Sequence, residues 1–348
     1  MSEIKRKLRK KEHIKYSMKI KKNLKRNAFD DIKILHNCLS EININDIDLS
    51  TNLQNIKLTS PIIINAMTGG TKEGRAINRE LAKIAKRLGL AMAVGSQTIA
   101  LKNPNSIASF QITREINPDG IIFANLSADS TLKEANQAIE MINADALQIH
   151  LNVPQEVMMK EGRKNFTGIV DNIAEIVDNI NIPVIVKEVG FGIAKEEAII
   201  LAKNGVKIID IGGSGGTNFI AIENARSKSK AFRHLQDWGI PTPISLIEVI
   251  DAVGDKVDTI SSGGLKNGLD AAKSLALGAK ATAFAGYFLY ILLKKGPSAL
   301  EKYILQIEKE IKYVMAMVGA KNFEELQQRP VIIQGKTYHW TKYREIDI

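Results

Sequence analysis

The chain has 348 residues, of which 45% are hydrophobic and 5% aromatic, and its formal net charge is +10. This length allows one barrel-sized domain or two smaller ones, and the single cysteine, Cys38, excludes an intramolecular disulfide or a cysteine-based zinc site. We expect a soluble, cytoplasmic protein, because the first residues are charged and the longest apolar run, Ala281–Leu293, is too short to cross a bilayer.

The positive charge is concentrated at the N-terminus. Residues 1–26 hold 12 Lys and Arg against two acids, and the rest of the chain carries equal numbers of basic and acidic residues. The segment 2–27 is predicted to be partly helical, which would place Arg9 and His13 on one helix face. Together with Lys10 they would suit a pyrophosphate. By composition alone the arm also fits nucleic acid, an anionic surface or a solvated tail.

A connecting segment up to Ser60 is predicted to contain loops and short strands that cap a larger unit. Beyond it, apolar strands alternate with helices. The predicted strands are Pro61–Ala66, Leu90–Val94, Gly120–Ala124, Ala146–His150, Pro183–Val186, Val206–Ile211, Val257–Ile260 and Ala279–Phe284. The predicted helices are Arg75–Leu88, Pro104–Ile116, Leu132–Ile142, Phe166–Ile180, Ala194–Asn204, Ile244–Val253, Gly268–Leu277 and, after the last strand, Ser298–Gly319.

This alternation indicates an α/β protein with parallel strands and right-handed crossovers. Eight strands predict a closed (β/α)₈ TIM barrel with an N-terminal basic arm and a C-terminal helical extension. We expect residues 1–60 to form the arm and cap, and residues 61–348 to form one structural domain. No strand is followed by a GxGxxG turn with an acid further on, which argues against a dinucleotide-binding Rossmann site.

In such a barrel the C-terminal ends of all the strands meet on one face. Polar or small residues stand there at Thr68, Ser96, Asn125, His150, Asn152, Lys187, Ser214, Thr217, Gly263, Gly264, Ala285 and Gly286. The glycine-bearing turns after strands seven and eight predict a phosphate cradle, although a single glycine pair is common in ordinary turns.

Four polar residues follow the fourth strand: His150, Asn152, Gln155 and Glu156. They offer a titratable ring, fixed amides and a hard oxygen ligand. Glu156 suits a magnesium ion, a general base or an acid near a helix N-terminus, and one carboxylate suffices for magnesium when the substrate supplies phosphate oxygens. Polar residues at a strand end are also compatible with a purely structural role.

Lys187 ends a buried strand, where its charge is costly unless it is matched. Near the pyrimidine end of a flavin it would stabilise an anionic reduced ring. The alternative is an ion pair with Glu188 or with another carboxylate at a strand end.

Taken together, these motifs resemble the type 2, flavin-dependent isopentenyl diphosphate isomerases. The matching segments are Arg9–Ile14, Ala66–Gly70, Gly95–Gln97, Phe123–Asn125, Gln148–Glu156, Val186–Gly192, Gly215–Phe219, Ser262–Leu265 and Tyr338–Trp340. The resemblance implies interconversion of isopentenyl and dimethylallyl diphosphate with reduced FMN, Mg²⁺, and NADPH or NADH as reductant. It also implies a homo-oligomer, a tetramer or octamer, with a small-molecule diphosphate as substrate and no nucleic-acid or membrane partner.

The resemblance assigns roles by motif. Flavin contacts would come from Ala66, Met67, Thr68, Ser96, Asn125, Lys187, Ser214, Thr217, Gly263, Gly264, Ala285 and Gly286. Substrate contacts would come from Arg9, Lys10, His13, Ser96, Thr98, His150, Asn152 and Gln155. Catalysis would involve Gln155, His150, Asn152 and Lys187, and the magnesium ligand would be Glu156. Many family members have arginine in place of Thr98, so one diphosphate contact is either missing here or supplied by Lys102 or the arm.

Three alternatives remain open at this level. A barrel of the inosine monophosphate dehydrogenase type needs a cysteine after strand six, where this chain has none. A hydroxy-acid oxidase uses a histidine–arginine pair after strand seven, where this chain has Gly263-Gly264-Leu265. A non-catalytic RNA-binding module would use the basic arm, but the neutral body and the shortage of aromatic residues argue against it.

Overall fold

Short runs of Ile, Val and Ala form the strands of the barrel. The computed structural model describes residues 3–19, 28–227 and 232–346. The strands are β1 (Ile32–Ile34), β2 (Thr51–Leu53), β3 (Ile56–Leu58), β4 (Ile62–Ile64), β5 (Ala91–Ala93), β6 (Ile122–Ser127), β7 (Ala146–His150), β8 (Val184–Lys187), β9 (Ile208–Asp210), β10 (Asp258–Ser262), β11 (Ala281–Phe284) and β12 (Val331–Ile333). Strands β4 to β11 pair in parallel around a closed barrel, which confirms the predicted fold.

The helices are α1 (Glu3–Lys19), α2 (Lys72–Leu88), α3 (Thr98–Lys102), α4 (Ala108–Ile116), α5 (Leu132–Ile142), α6 (Val153–Met158), α7 (Ile169–Asn179), α8 (Lys195–Lys203), α9 (Phe219–Ser227), α10 (Thr242–Val253), α11 (Gly268–Ala276), α12 (Gly286–Lys295), α13 (Pro297–Val318), α14 (Phe323–Gln327) and α15 (Gly335–Tyr343). Short 3₁₀ helices cover Ala28–Asp31, Ile44–Asp46, Pro104–Ser106 and Arg233–Asp237.

Most predicted elements are present with shifted ends. The helix predicted for Pro104–Ile116 is a 3₁₀ turn followed by α4. Strand β6 continues through Asn125 to Ser127, so Asn125 lies within the strand and not after it. Helices α3, α6, α9, α12, α14 and α15 lie outside the predicted helix ranges, and the first four begin at the C-terminal end of the barrel. The predicted arm is helical as α1, and its remainder, 20–27, lies outside the described residues.

Local signals explain several helix ends. Thr71 begins α2 by accepting a hydrogen bond from the Gly74 N–H at 2.9 Å. Gly89 ends the same helix at φ 66°, a left-handed conformation that favours glycine. Thr131 and Glu134 form a reciprocal capping box at the start of α5, as the sequence T-x-x-E predicts.

The hairpin formed by β2 and β3 closes the N-terminal end of the barrel. Its side chains Leu53 and Leu58 are fully buried and pack with barrel residues such as Phe123. Thr51 Oγ1 donates to the Lys280 carbonyl at 2.9 Å, just before β11 begins. This apolar plug leaves the C-terminal mouth as the open end of the barrel.

The C-terminal helices lie outside the mouth. In α15, Trp340 Nε1 donates to Glu248 Oε1 at 2.6 Å, so Tyr338–Trp340 holds that helix against α10. The long helix α13 packs on α11 and α12 and contributes no residue to the cavity described below. Within the described ranges, no helix is long and apolar enough to span a membrane.

Candidate active site

The mouth of the barrel holds a cavity of about 660 Å³, bounded by the ends of the barrel strands and by helix α1. Of the residues assigned roles from the sequence, those lining it are Arg9, Lys10, His13, Ala66, Met67, Thr68, Ser96, Thr98, Asn125, His150, Asn152, Gln155, Glu156, Lys187, Thr217, Gly263, Gly264, Ala285 and Gly286. The barrel therefore brings together residues that are more than 270 positions apart in the chain.

Ser214 does not line the cavity. It forms an isolated parallel bridge with Pro241, and its N–H donates to the Ile240 carbonyl at 2.8 Å. In this arrangement Ser214 ties the loop after β9 to the start of α10. The neighbouring Gly216 and Thr217 line the cavity in its place.

Helix α1 crosses the mouth and is attached to both rims. On one side, Lys10 Nζ donates to the carbonyls of Gly69 at 2.9 Å and Ser96 at 3.1 Å. On the other side, His13 Nε2 lies 2.8 Å from Glu223 Oε1 on α9. Helix α1 is thus a strap over the cavity, with Arg9, Lys10 and His13 lining its inner side.

Glu223 is a functional candidate that the sequence did not reveal. Only 4% of the residue is exposed, and its Oε1 also accepts a hydrogen bond from Gln155 Nε2 at 3.1 Å. Burial raises the pKa of Glu223, but hydrogen bonds from His13 and Gln155 and the charge of Arg226 outweigh it, so the pKa is lowered overall. Glu223 is therefore ionised at neutral pH.

Arg226 fastens three segments around this carboxylate. It contacts Glu223 on its own helix, Glu12 of the strap at 3.1 Å, and Glu161 beyond α6 at 3.0 Å. Its side chain is 13% exposed, so these ion pairs are partly shielded from solvent. The cluster joins α1, α6 and α9 on one side of the mouth.

The floor of the cavity is a layer of polar side chains. His150 Nδ1 lies 2.8 Å from Asn125 Oδ1, and Asn125 Nδ2 donates to Gln148 Oε1 at 3.0 Å. Burial, followed by the nearby charge of Lys187, lowers the pKa of His150 to about 4. His150 is therefore neutral at physiological pH.

Lys187 is paired with Asp210, which sequence reasoning did not single out. The two residues are register partners on β8 and β9, and Nζ lies 3.6 Å from Asp210 Oδ2. Lys187 Nζ also donates to the Glu188 backbone carbonyl at 2.8 Å. The Glu188 carboxylate instead accepts the N–H groups of Gly190 and Phe191. Asp210, and not Glu188, is therefore the counter-ion of Lys187.

The turn after β10 and the start of α12 both line the cavity and are candidates for a phosphate site. Helix α12 begins at Gly286 with no side-chain cap, so its first N–H groups are available to an anion. Gly264 has φ 84°, and a Cβ there would lie 2.3 Å from the Gly215 backbone. Any larger residue would displace this loop, so glycine is required for the close approach.

Glu156 is held at the start of α6. Its Oε2 accepts the Arg163 N–H at 2.7 Å. In the described ranges no three His, Cys, Asp or Glu side chains are grouped as for a metal ion, so a cation here would depend on ligands from a bound molecule. Close by, the Asn152 Oδ1 atom is buried and has no hydrogen-bond partner within the described part of the chain. An unsatisfied acceptor at a cavity wall indicates a missing donor or cation.

Thr98 stands at the start of α3, with its Oγ1 3.1 Å from Ser96 Oγ. At the other end of this short helix, the exposed Lys102 also lines the cavity. The cations of the arm, Arg9 and Lys10, line the same cavity. The chain therefore offers replacements for the arginine expected at position 98.

Comparisons with known proteins agree with this geometry. Residues 108–333 match the model of a family described as FMN-dependent dehydrogenase. An isopentenyl-diphosphate delta-isomerase of Geobacillus sp. (strain WCH70) is 46% identical over 348 residues, covering 100% of this chain and 98% of that protein. One from Staphylococcus aureus is 42% identical, covering 100% and 99%.

Solved structures of low identity share the fold. A putative lactate oxidase of Pediococcus acidilactici superposes with a TM-score of 0.68 at 19% identity, covering 93% of this chain and 87% of that one. A flavocytochrome b2 variant with bound sulfite gives a TM-score of 0.68 at 20% identity, covering 92% and 83%. At these identities the likeness concerns the barrel alone.

Proposed function

The chain belongs to the FMN-dependent isopentenyl-diphosphate delta-isomerases, and from this membership we propose that it interconverts isopentenyl and dimethylallyl diphosphate. The observation that carries the proposal is that cationic residues of the strap and polar residues of the barrel line the same cavity. Arg9, Lys10 and His13 of the strap face the polar cluster that follows β7. The cations suit a diphosphate, and the neutral amides and ring suit an uncharged hydrocarbon reaction centre.

FMN is the cofactor of the family, and the residues present fit it. The uncapped start of α12 and the glycine turn after β10 are suited to its phosphate. Lys187, Asn125 and Ser96 would provide polar contacts for the ring system. When bound and reduced, FMN supplies an electron-rich ring face able to exchange a proton with a double bond.

The strap supplies binding energy far from the reacting carbons. Arg9 and Lys10 bind the diphosphate, and this remote interaction positions the five-carbon chain for reaction. Closure of α1 over the mouth excludes water, which protects a developing positive charge on the hydrocarbon. The same closure strengthens every electrostatic contact within the cavity.

Gln155 orients the proton transfer. Its Nε2 donates to the ionised Glu223, so its amide is fixed in one direction at the cavity wall. Its Oε1 accepts from Asn152 Nδ2 at 2.5 Å, which fixes the other end. Addition of a proton at one carbon and removal from another leaves no net redox change, so an oxidant is not consumed.

Magnesium, a nicotinamide reductant and self-association are further parts of the proposal. Glu156 would bind Mg²⁺ together with diphosphate oxygens and water, which fits the single carboxylate at this position. NADPH or NADH would keep FMN reduced. The family resemblance supports a homo-oligomer, a tetramer or octamer.

The test is anaerobic incubation of the purified chain with isopentenyl diphosphate, FMN, Mg²⁺ and NADPH, following dimethylallyl diphosphate. We expect yellow protein that bleaches on reduction, with turnover only in the reduced state. Protein that neither retains nor rebinds FMN would refute the proposal. Oxidation of lactate or another 2-hydroxy acid without isomerisation would favour the oxidase alternative, but the turn after β10 has no histidine or arginine to support it.

A further inference from the structure

Beneath the cavity, five polar side chains of the barrel form one continuous hydrogen-bond chain. In order they are Asp210, Asn65, Gln148, Asn125 and His150. Asn65 Nδ2 donates to Asp210 Oδ2 at 2.8 Å, and Gln148 Nε2 donates to Asn65 Oδ1 at 3.3 Å. The chain ends at His150 Nδ1, 2.8 Å from Asn125 Oδ1.

Two groups that cannot reverse fix the direction of this chain. Asp210, paired with Lys187, is a carboxylate and can only accept hydrogen bonds. The backbone N–H of Ala66 can only donate, and it does so to Asn65 Oδ1 at 2.8 Å. Asn65 must therefore direct its amino group at Asp210 and its oxygen toward Gln148.

The direction then passes from amide to amide. Gln148, 1% exposed, gives its amino group to Asn65, which leaves only Oε1 for Asn125. Asn125 donates to that oxygen and has only Oδ1 left for His150. Because an amide oxygen cannot donate, the ring nitrogen that faces it must carry a hydrogen.

We propose that Gln148 is a positioning residue that keeps the proton of His150 on Nδ1 and leaves Nε2 as the accepting nitrogen. Gln148 does not line the cavity and acts only through Asn125. The consequence for catalysis rests on the proposed function, whereas the site of protonation does not.

The tautomer matters because the ring is neutral at working pH. A neutral ring protonated on Nδ1 offers the cavity an acceptor, and the opposite tautomer offers a donor. The exchange of the two would reverse the polarity of a side chain that the proposed reaction places beside the substrate. The effect should therefore appear in turnover as well as in spectra.

The test is ¹⁵N NMR of the FMN-loaded protein labelled in its histidine rings. The chain has five histidines, and the signals lost in His150→Phe identify the ring in question. At pH 7 the wild type should show a hydrogen-bearing Nδ1 and a bare Nε2. In Gln148→Leu, of similar size but without hydrogen-bonding groups, the Asn125 amide can turn, and a form protonated on Nε2 should appear. Turnover should fall about 10- to 100-fold with FMN content unchanged.

Gln148→Glu provides a rescue. As a neutral acid, its hydroxyl donates to Asn65 and its carbonyl accepts from Asn125, so the native direction is kept; once ionised, it cannot donate. The groups facing this position are the amides of Asn65 and Asn125, with Asp210 and Lys187 beyond Asn65. Once ionised it no longer donates to Asn65, but its carboxylate still accepts from Asn125, so the Nδ1-protonated form should persist as pH rises.

Thr259→Val is the matched control, since Thr259 is a buried barrel residue whose Oγ1 has no hydrogen-bond partner in the described ranges. It should leave both the tautomer and turnover unchanged. A wild-type ring protonated on Nε2, or a Gln148→Leu ring with the wild-type tautomer, overturns the proposal. If Gln148→Leu does not fold, the proposal is tested by the His150 tautomer seen in the wild-type and Gln148→Glu spectra, and a ring protonated on Nε2 in either protein overturns it. If His150 shows the expected tautomer but the protein does not isomerise isopentenyl diphosphate, the proposed function is refuted and the role of Gln148 in setting the tautomer stands.

Discussion

His13 Nε2 lies 2.8 Å from Glu223 Oε1, and this contact joins the N-terminal helix to a helix that follows β9. Glu223 is 4% exposed, so the contact is shielded from solvent, unlike the exposed pair between Lys11 and Glu73 on the opposite rim. Burial lowers the pKa of His13, so at neutral pH this contact is a hydrogen bond from a neutral ring to a buried carboxylate, whereas the Lys11–Glu73 contact is an exposed ion pair of little energy. The buried attachment also places Glu223 against Gln155.

Glu223→Gln should loosen the strap. The change keeps the shape but removes the charge that Arg226 and His13 face, and breaking a partly buried pair costs a few kcal/mol. We expect faster trypsin cleavage within α1 and a fall in kcat/KM of about 10-fold or more. Glu73→Gln, which removes the partner of Lys11 on the opposite rim, is the control and should change both by less than about 2-fold. Equal cleavage of the two variants would contradict the assignment.

Gln155→Ala should lower kcat more than it raises KM. The side chain connects Glu223 with Asn152 at the cavity wall, so its loss should affect the transition state more than substrate binding. Steady-state kinetics with reduced enzyme measure the two constants. Val157→Ala, at an exposed position of the same helix, should leave both unchanged. A change confined to KM would make Gln155 a binding residue only.

Glu156→Gln should weaken the binding of magnesium to the enzyme. Replacement of the carboxylate by a neutral amide removes the charge that attracts the cation, so the half-saturating Mg²⁺ concentration should rise about 10-fold. FMN content should not change. Asp129→Asn is the control, because it removes another carboxylate that lines the cavity. An identical magnesium titration in the two variants would exclude Glu156 as the ligand.

Lys187→Met should lower the reduction potential of bound FMN, because a cation near the ring stabilises its anionic reduced form. We expect about 30 mV or more, equivalent to about 1.4 kcal/mol for a two-electron couple, measured by spectroelectrochemistry. The change leaves Asp210 buried without its cation, so Lys187→Met combined with Asp210→Asn should fold better than the single variant. Lys102→Met at the rim should leave the potential unchanged. An unaltered potential in both Lys187 variants would place Lys187 away from the ring.

His150 should make stability depend on pH. Its pKa is about 4 in the folded chain and about 6.5 when unfolded, so the unfolded state binds more protons between these values. Its contribution is complete above pH 6.5 and is lost as pH falls toward 4. The shift corresponds to roughly 3 kcal/mol, which partial exposure to the cavity reduces to about 2 kcal/mol. Denaturant unfolding of the wild type and His150→Gln should differ by this change between pH 7 and pH 4. Parallel curves would contradict it.

The barrel and most of the mouth could be predicted from the sequence because their signals are local. Each apolar run ends in polar or glycine residues, and closure of the barrel brings those ends together. Glu223 and Asp210 were missed for different reasons. Glu223 lies in α9, in the stretch between the sixth predicted strand and the helix Ile244–Val253, for which no helix or strand was predicted. Asp210 stands inside an apolar strand, and a charge in such a place was a usable signal.

The direction of the amide chain could not be predicted from the sequence. It depends on Asn65 directly after β4, Asn125 on β6 and Gln148 on β7, and only the closed barrel sets the relative register of these strands. Ser214 illustrates the same limit, since its neighbours Gly216 and Thr217 line the cavity and it does not. Sequence proximity to a glycine turn does not determine which residue of the turn points inward.

The β2–β3 hairpin at the N-terminal end of the barrel determines the order in which molecules can enter and leave the cavity. Because the hairpin closes the N-terminal end of the barrel, we expect cofactor, substrate, product and displaced water to pass through the C-terminal mouth. A molecule bound deep in the cavity must bind before one bound nearer the mouth, and it cannot dissociate first. We therefore expect helix α1 to move away from the mouth both when ligands bind and when they are released.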